Sequence, residues 1–508
     1  MNSKEKPSFL ISINSPSSSI PLWLGLFVLA LGGFWVTLYA TQWGAGLIDW
    51  DSFNYLAAAH SLANGLGFVL PLDNQTFMPM THFPPMLSIL LAVLESMGVI
   101  VIDGIKWLNA ILFAINIVLL GFSIYSIYPS LPFAWLGVTI FFVSNTFILA
   151  HALALSEPLL IFFTLFGFLS FVPYLRHKSM FYLTASILLL SFACLTKYIG
   201  VVSAFTAAIV FIIMQNKINL RAIGKGIIFG GLCVFPLFIW TLRGIITAHT
   251  FNNRTLSWYP LTINNLVQAF RTIISLYVWE DFILGYEKWL YYFMVFLFLI
   301  IVVYTIKNYS IWIDILNKNS MILIYGLYII FYTVFVFISK MLFDPEIGMS
   351  SRMFSPILMA LIILTVIFLS FLWKTKILAL RIIVLIFSMY WVSYQVNQGY
   401  QEAVDLHENG YGLARRSIHL SDTIAHLKEI SQQEDVYSNN PYLLYFVSGK
   451  PGFRINAFEI EPKNEQKLLA IFKNKTGSKE YNKNKLSPYL HLVEEDRLVS
   501  LYRFTYKQ

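Results

Sequence analysis

Twelve long apolar stretches recur along this chain, at 21–41, 84–100, 105–127, 131–150, 157–173, 180–196, 198–214, 226–247, 289–306, 321–339, 355–373 and 377–396. Crossing a hydrocarbon core takes about 20 mostly apolar residues. Backbone groups inside lipid must find their partners within the protein, so runs of this length read as membrane-spanning helices. Tryptophans and tyrosines near the run ends (Trp43, Trp50, Trp258, Tyr259, Trp289, Trp373) fit the aromatic belts of a bilayer interface. The expected fold is therefore an α-helical polytopic membrane protein.

Composition agrees. Charged residues make up 12% of the 508 residues, about half the roughly 25% of a soluble domain. A net charge of +8 would suit nucleic acid, but the basic residues cluster in short loops between apolar runs, where they set topology instead. No nucleic-acid partner is expected. The two cysteines, Cys194 and Cys233, both lie in apolar runs, which excludes a disulfide framework or a cysteine-rich metal site. The run from Pro21 exceeds a signal-peptide core and has no small-x-small cleavage site, so it reads as an uncleaved anchor.

The loops with Arg176/Lys178, Lys217/Arg221/Lys225, Lys307/Lys318 and Lys374/Lys376/Arg381 alternate with loops that lack such clusters. The positive-inside rule makes their side cytoplasmic, together with Lys4 and Lys6 of the N-terminal tail 1–20. The loop 42–83 has no Lys or Arg but carries Asp49, Asp51 and Asp73, so it faces outward. An odd number of crossings must separate it from Arg176, yet four apolar segments lie between. One of them has to be re-entrant, interfacial or fused, with 84–100 and 131–150 the candidates. About eleven crossings result. They leave 21–396 as the membrane domain and 397–508 as an extracytoplasmic domain. In that tail Asp435–Ser438 and Phe453–Phe458 read as strands and Pro441–Val447 as a helix, which gives a small C-terminal α/β domain.

On this topology the outward loops collect the unusual polar residues. Asp49 or Asp51 can cap a helix that stops at Asn64-Gly65. Asp51 and Tyr55, four apart, share one face of it. Thr81-His82-Phe83-Pro84-Pro85 starts a helix through its proline pair. His151 and Ser156-Glu157-Pro158 follow, with an acid at the mouth of a span, where an ionisable group is costly without a partner. Lys197 in Thr196-Lys197-Tyr198 runs against the positive-inside trend; it either snorkels to headgroups or serves the site. In the loop from Lys340 to Pro356, Arg352 offers a planar fork for phosphate unless it pairs with Asp344 or Glu346. Carboxylates suit deprotonation of an acceptor or a divalent metal, with Asp51 and Glu157 the candidate ligands. Cations suit a phosphate leaving group whose charge grows as its bond breaks.

The order Asp-x-x-x-Tyr (Asp51, Tyr55), Pro84-Pro85, Glu157, Leu195-Thr196-Lys197-Tyr198 and Arg352-x-x-x-Pro356 resembles the GT-C superfamily of polyprenyl-phosphate-sugar-dependent glycosyltransferases. Protein O-mannosyltransferases and lipid A aminoarabinose transferases belong to it. The resemblance covers about 20–360 and is most specific over 49–200. It implies transfer of a hexose or pentose from a polyprenyl-phosphate-sugar to a glycan, lipid or protein acceptor. The setting it implies is a bacterial inner (plasma) membrane, with the active face outward. It also implies Asp51 as catalytic base or acceptor-positioning group, with Asp49 and Glu157 as the further catalytic carboxylates, and Tyr55, His82, Lys197 and Arg352 on the donor side. Some relatives have Lys directly before the proline pair, where this chain has Phe83. A polysaccharide ligase, polymerase or flippase is the alternative, against which the acidic loop after the first span argues. A transporter would carry polar residues at mid-span, and a nucleotide-sugar enzyme would need Asp49-x-Asp51 on the cytosolic side.

Overall fold

The computed structural model describes residues 16–71, 76–215, 219–254, 256–278, 319–375, 377–450, 452–454, 467–473 and 490–504. The apolar run 289–306, Asp73, the tail lysines Lys4 and Lys6, and the loop lysines Lys217, Lys307, Lys318 and Lys376 lie outside these residues.

The first part of the chain is helical. It comprises α1 (Pro16–Ala40), α2 (Asp49–Ala63), a hairpin of β1 (Val69–Pro71) and β2 (Phe77–Pro79), α3 (Met86–Ser96), α4 (Val101–Ile127), α5 (Leu131–Val143), α6 (Asn145–Ala152), α7 (Glu157–His177), α8 (Met180–Thr196), α9 (Val201–Ile213), α10 (Leu220–Ala248) and α11 (Ile263–Ile274). Beyond the undescribed stretch come α12 (Ser320–Leu342), α13 (Ser351–Lys374) and α14 (Leu378–Asn409). Among the described residues seven helices are long and apolar enough to cross a membrane, or eight if α5 and α6 form one bent span. The chain is thus a polytopic helical membrane protein. α10 and α1 display rows of exposed Ile, Leu, Phe and Trp, such as Ile227, Ile228, Phe235, Phe238, Trp23 and Phe27. An apolar surface of that kind suits lipid and not water.

Both suspect segments depart from a plain span. α3 is only 11 residues long and packs along α2, so at 1.5 Å per residue it reaches roughly half-way through a hydrocarbon core. α5 and α6 meet at Ser144 with a 54° bend, and α14 closes on it, where a methyl on Gly399 would strike the Val143 carbonyl oxygen.

Buried polar side chains tie the bundle together. Tyr325 of α12 donates to Ser123 of α4 at 2.9 Å, and Thr164 of α7 bonds Ser203 of α9 at 3.0 Å. Such bonds join helices where lipid supplies no hydrophobic drive for association. Cys194 and Cys233 are buried free thiols.

The expected boundary at 397 falls inside α14, which continues to Asn409. The polar turn in composition there marks the end of the apolar run, not of the helix. After Gly410 the chain forms α15 (Arg416–His419), α16 (Asp422–Ile430), β3 (Val436–Ser438), α17 (Pro441–Ser448), β4 (Phe453–Arg454), β5 (Lys467–Phe472), β6 (Leu490–Glu495) and β7 (Val499–Phe504). The sheet order is β4-β3-β5-β7-β6. β3 is parallel to β4 and β5, while β7 is antiparallel to β5 and β6. Its core joins Ile424, Leu427, Val436, Leu444, Leu468, Val499 and Leu501. The predicted second strand is only Phe453–Arg454 here; residues 455–466 are outside the description.

Candidate active site

α2 begins one residue earlier than an aspartate cap requires. Ile48 is the N-cap, with no side-chain cap bond, and its N–H donates to the Ser52 hydroxyl at 2.8 Å. Asp49 and Asp51 therefore stand in the first turn, where negative charge suits the helix dipole, and neither caps. The predicted stop is present: Asn64 ends the helix and Gly65 takes φ +77°, which glycine adopts without a Cβ penalty.

From that turn Asp51 joins, through Arg352, a chain of charges drawn from far along the sequence. Arg352 Nη2 donates to Asp51 Oδ2 at 3.0 Å, and its Nε lies 3.5 Å from Glu157 Oε1. Lys197 Nζ donates to the same Glu157 oxygen at 2.8 Å. The Glu157 side chain is 4% exposed, Lys197 15%, and Asp51 and Arg352 just over a quarter. A buried carboxylate thus gathers two cations, and a more accessible one, Asp51, stands at the edge of the group.

Each of these residues sits at a helix end. Glu157 opens α7, with Pro158 in its first turn. Lys197 breaks the chain between α8 and a 3-10 turn at Tyr198–Gly200, in extended backbone. It does not snorkel. Arg352 lies in the first turn of α13, not in a loop, and Pro356 lies inside that helix. A cation there opposes the helix dipole, so Asp51 and Glu157 supply what holds it. Asp344 pairs with Arg254 at 3.7 Å and not with Arg352. Two further bonds fix the frame: Tyr198 donates to Thr81 O at 2.9 Å and Tyr332 to Met353 O at 3.0 Å.

The other predicted residues lie around this group. Tyr55 is buried behind it, its hydroxyl 2.9 Å from Ser156 Oγ and its ring stacked on Phe83 at 4.8 Å. Burial pushes its phenol well above the ordinary range. Phe83, in the lysine position of some relatives, is thus a packing residue. His82 sits edge-on to Phe83 and Trp50. Burial first, and then the charge of Arg254, lower its imidazole to about 4. It is a neutral group at ordinary pH. Asp49 makes no ion pair among the described residues and stays apart from the constellation. His151 is a core residue, stacked on Phe113 and hydrogen-bonded to Phe147 O.

Arg254 was missed. It stands in the loop after α10, close enough to influence His82 and Tyr198. The rule that singled out Lys197, a cation in a loop predicted to face outward, applies equally to Arg254.

A divalent metal does not fit between Asp51 and Glu157, because the Arg352 guanidinium already bridges them. Among the described residues no group of three or more His, Cys, Asp or Glu is arranged to hold an ion.

The family described as dolichyl-phosphate-mannose-protein mannosyltransferase matches residues 78–252. No curated protein matches the chain by sequence. ArnT from Cupriavidus metallidurans bound to undecaprenyl phosphate superposes with a TM-score of 0.62 at 12% identity, over 95% of this chain and 98% of that one. Its apo state gives 0.59 at 13% identity, over 96% and 98%. The archaeal oligosaccharyltransferase AglB from Archaeoglobus fulgidus, in complex with an inhibitory peptide and a dolichol-phosphate, gives 0.50 at 10% identity, over 90% and 70%. At these identities the likeness carries the fold, and it extends over nearly the whole chain.

Proposed function

Because the chain has the GT-C glycosyltransferase fold, we propose that it transfers a sugar from a polyprenyl-phosphate-sugar to a hydroxyl-bearing acceptor on the extracytoplasmic face of a bacterial inner membrane. The observation that carries this reading is the charge constellation Asp51–Arg352–Glu157–Lys197 at the ends of three helices and α2.

The roles follow from the geometry. Glu157, bonded to Lys197 and next to Arg352, orients the two cations. Lys197 and Arg352 then receive the carrier phosphate, with Arg254 nearby. The growing negative charge on the leaving phosphate meets preorganised cations there, and electrostatic stabilisation of that kind is usually the largest single term in catalysis. Asp51 is half of a pair in the resting protein. A phosphate that engages Arg352 competes for that guanidinium and releases the Asp51 carboxylate. Asp51 accepts the acceptor's hydroxyl proton while the oxygen attacks the anomeric carbon and the sugar–phosphate bond breaks. Tyr55 braces α2 against Ser156 rather than touching the donor, and His82 is a neutral wall.

Support for the outward placement comes from the helices themselves. Glu157 and Arg176 mark opposite ends of α7, and Arg352 and Lys374 those of α13. At 1.5 Å per residue each separation is about 30 Å, one hydrocarbon thickness. The predicted cytoplasmic cations and the site therefore belong to opposite ends of the bundle. The decisive assay is release of polyprenyl phosphate from a polyprenyl-phosphate-sugar by purified protein in nanodiscs. Release that depends on acceptor supports the reading; none with any donor removes it.

A further inference from the structure

Three segments run side by side where the bundle meets the C-terminal sheet. Gly46 pairs in parallel with Leu153, and Leu47 in parallel with Gly412. Gly46 N donates to Ala152 O at 2.8 Å, Ala154 N to Gly46 O at 2.8 Å, and Leu413 N to Leu47 O at 2.9 Å. The middle segment leads into α2 and Asp51. The second leads to Glu157, and Ser52 Oγ adds a bond to Ala154 O at 3.1 Å. The third belongs to the chain entering the C-terminal unit. Gly412 has φ +61°, and a methyl there would stand 2.0 Å from the Leu47 carbonyl oxygen. Only glycine admits this approach.

A second contact runs along the face of α2. Phe53, two residues after Asp51 and buried, meets the rings of Tyr442 at 5.0 Å, Tyr445 at 5.1 Å and Phe446 at 6.5 Å, all from α17. Tyr442 also lies 5.4 Å from Trp50, the residue before Asp51. The C-terminal unit thus grips α2 at its entry and on its face, on both sides of the carboxylate.

We propose that the C-terminal unit is a positioning element for Asp51, acting through Gly412 on Leu47 and through α17 on Phe53, so that the site is incomplete without it. This rests on the reading of Asp51 as the base. α2 carries Asp51, whereas Lys197, Arg254 and Arg352 stand on other elements. Loosening the clamp therefore displaces the base, while Glu157 still holds Lys197 and Arg352. A misplacement of about 1 Å can cost ~10²-fold in rate. Turnover falls while binding of the carrier phosphate persists.

The test compares Gly412→Ala with Gly98→Ala in the full chain in nanodiscs. Gly98 is also left-handed, at φ +91°, but it follows α3, outside the clamp, and a methyl there meets open space. It introduces the strain without the contact. Gly412→Ala should raise amide exchange across residues 49–63 and lower kcat by about 10²-fold. Its Kd for undecaprenyl phosphate should not rise by more than about twofold over wild type, because Glu157 still holds Lys197 and Arg352 and a displaced Asp51 no longer competes for the guanidinium. Gly98→Ala should do neither. Unchanged exchange in 49–63, a parallel loss of kcat and undecaprenyl phosphate binding, or the same effect from Gly98→Ala overturns the proposal. If Gly412→Ala does not accumulate folded, Phe53→Leu runs the same test on the other half of the clamp. Should the wild type turn over no donor, amide exchange still decides the clamp, and only the transferase reading falls.

Discussion

Arg352 donates to Asp51 at 3.0 Å across 301 positions of sequence, while the same guanidinium lies 3.5 Å from Glu157. One planar fork therefore links the accessible carboxylate to the buried one. The site behaves as a unit, and changes to its members should not be additive.

Asp51→Asn should remove turnover and leave folding intact. A proton acceptor contributes about 10²–10⁴-fold, and the side chain makes no cap bond whose loss would destabilise α2. Initial rates alongside thermal unfolding decide this. Wild-type rates in Asp51→Asn would end the base assignment, whereas Asp49→Asn should be near wild type.

Arg352→Lys keeps the charge but loses the fork that reaches Asp51 and Glu157 together. Donor use should weaken by about 1.5–3 kcal/mol, the range of hydrogen bonds to charged groups. Donor titrations at fixed acceptor measure it. Unaltered donor kinetics would reduce Arg352 to a structural ion pair.

Glu157→Gln should harm stability as well as activity. It strands Lys197 near a buried position, while Arg352 keeps its pair with Asp51, and breaking a buried pair costs about 3–5 kcal/mol. Adding Lys197→Met should recover much of the folded yield, since the stranded charge is gone, but not the activity. If the double variant is no more stable than Glu157→Gln alone, the two residues are not coupled as the 2.8 Å bond implies.

His82 supplies a pH dependence of defined sign. Its folded value is about 4 against an ordinary 6.5. A lowered base binds fewer protons folded than unfolded, so its contribution is complete above about 6.5 and is lost progressively as pH falls toward about 4. The loss is about 3 kcal/mol when complete. Thermal unfolding at pH 7 and pH 4.5 should show a larger drop for wild type than for His82→Asn. Parallel drops would exclude His82 as the source.

Leu66→Cys and Leu420→Cys, both at exposed positions, should label from one side of the membrane, and Met180→Cys from the other. The native thiols Cys194 and Cys233 are buried and give no background. Labelling of the first two from opposite sides would refute the shared outward placement of α2 and the C-terminal unit.

Long apolar runs specified helices by themselves, because lipid leaves a backbone few other ways to satisfy its hydrogen bonds. Asn64-Gly65 stopped α2, the proline pair opened α3 and Pro158 opened α7, and the short elements after Asp435 followed from local turn chemistry. Asp51, Glu157, Lys197 and Arg352 stood out singly, since charges at the mouths of spans need a reason. Their partners could not be read. Hydropathy gives neither the azimuth of a helix nor its depth, so whether Arg352 would meet Asp344 or Asp51 depended on how α13 packs beside α2 and α7. The same blindness hid that α14 runs on past its apolar residues to Asn409, whereas Arg254 was legible by the rule that singled out Lys197. That blindness also hid the contact between Gly412 and Leu47, more than 360 positions apart. Sequence fixes which residues are costly to place near lipid; only the packing of the bundle and the return of the C-terminal unit decide which of them neutralise one another, because that depends on distances of 3 to 4 Å between side chains that no local rule relates.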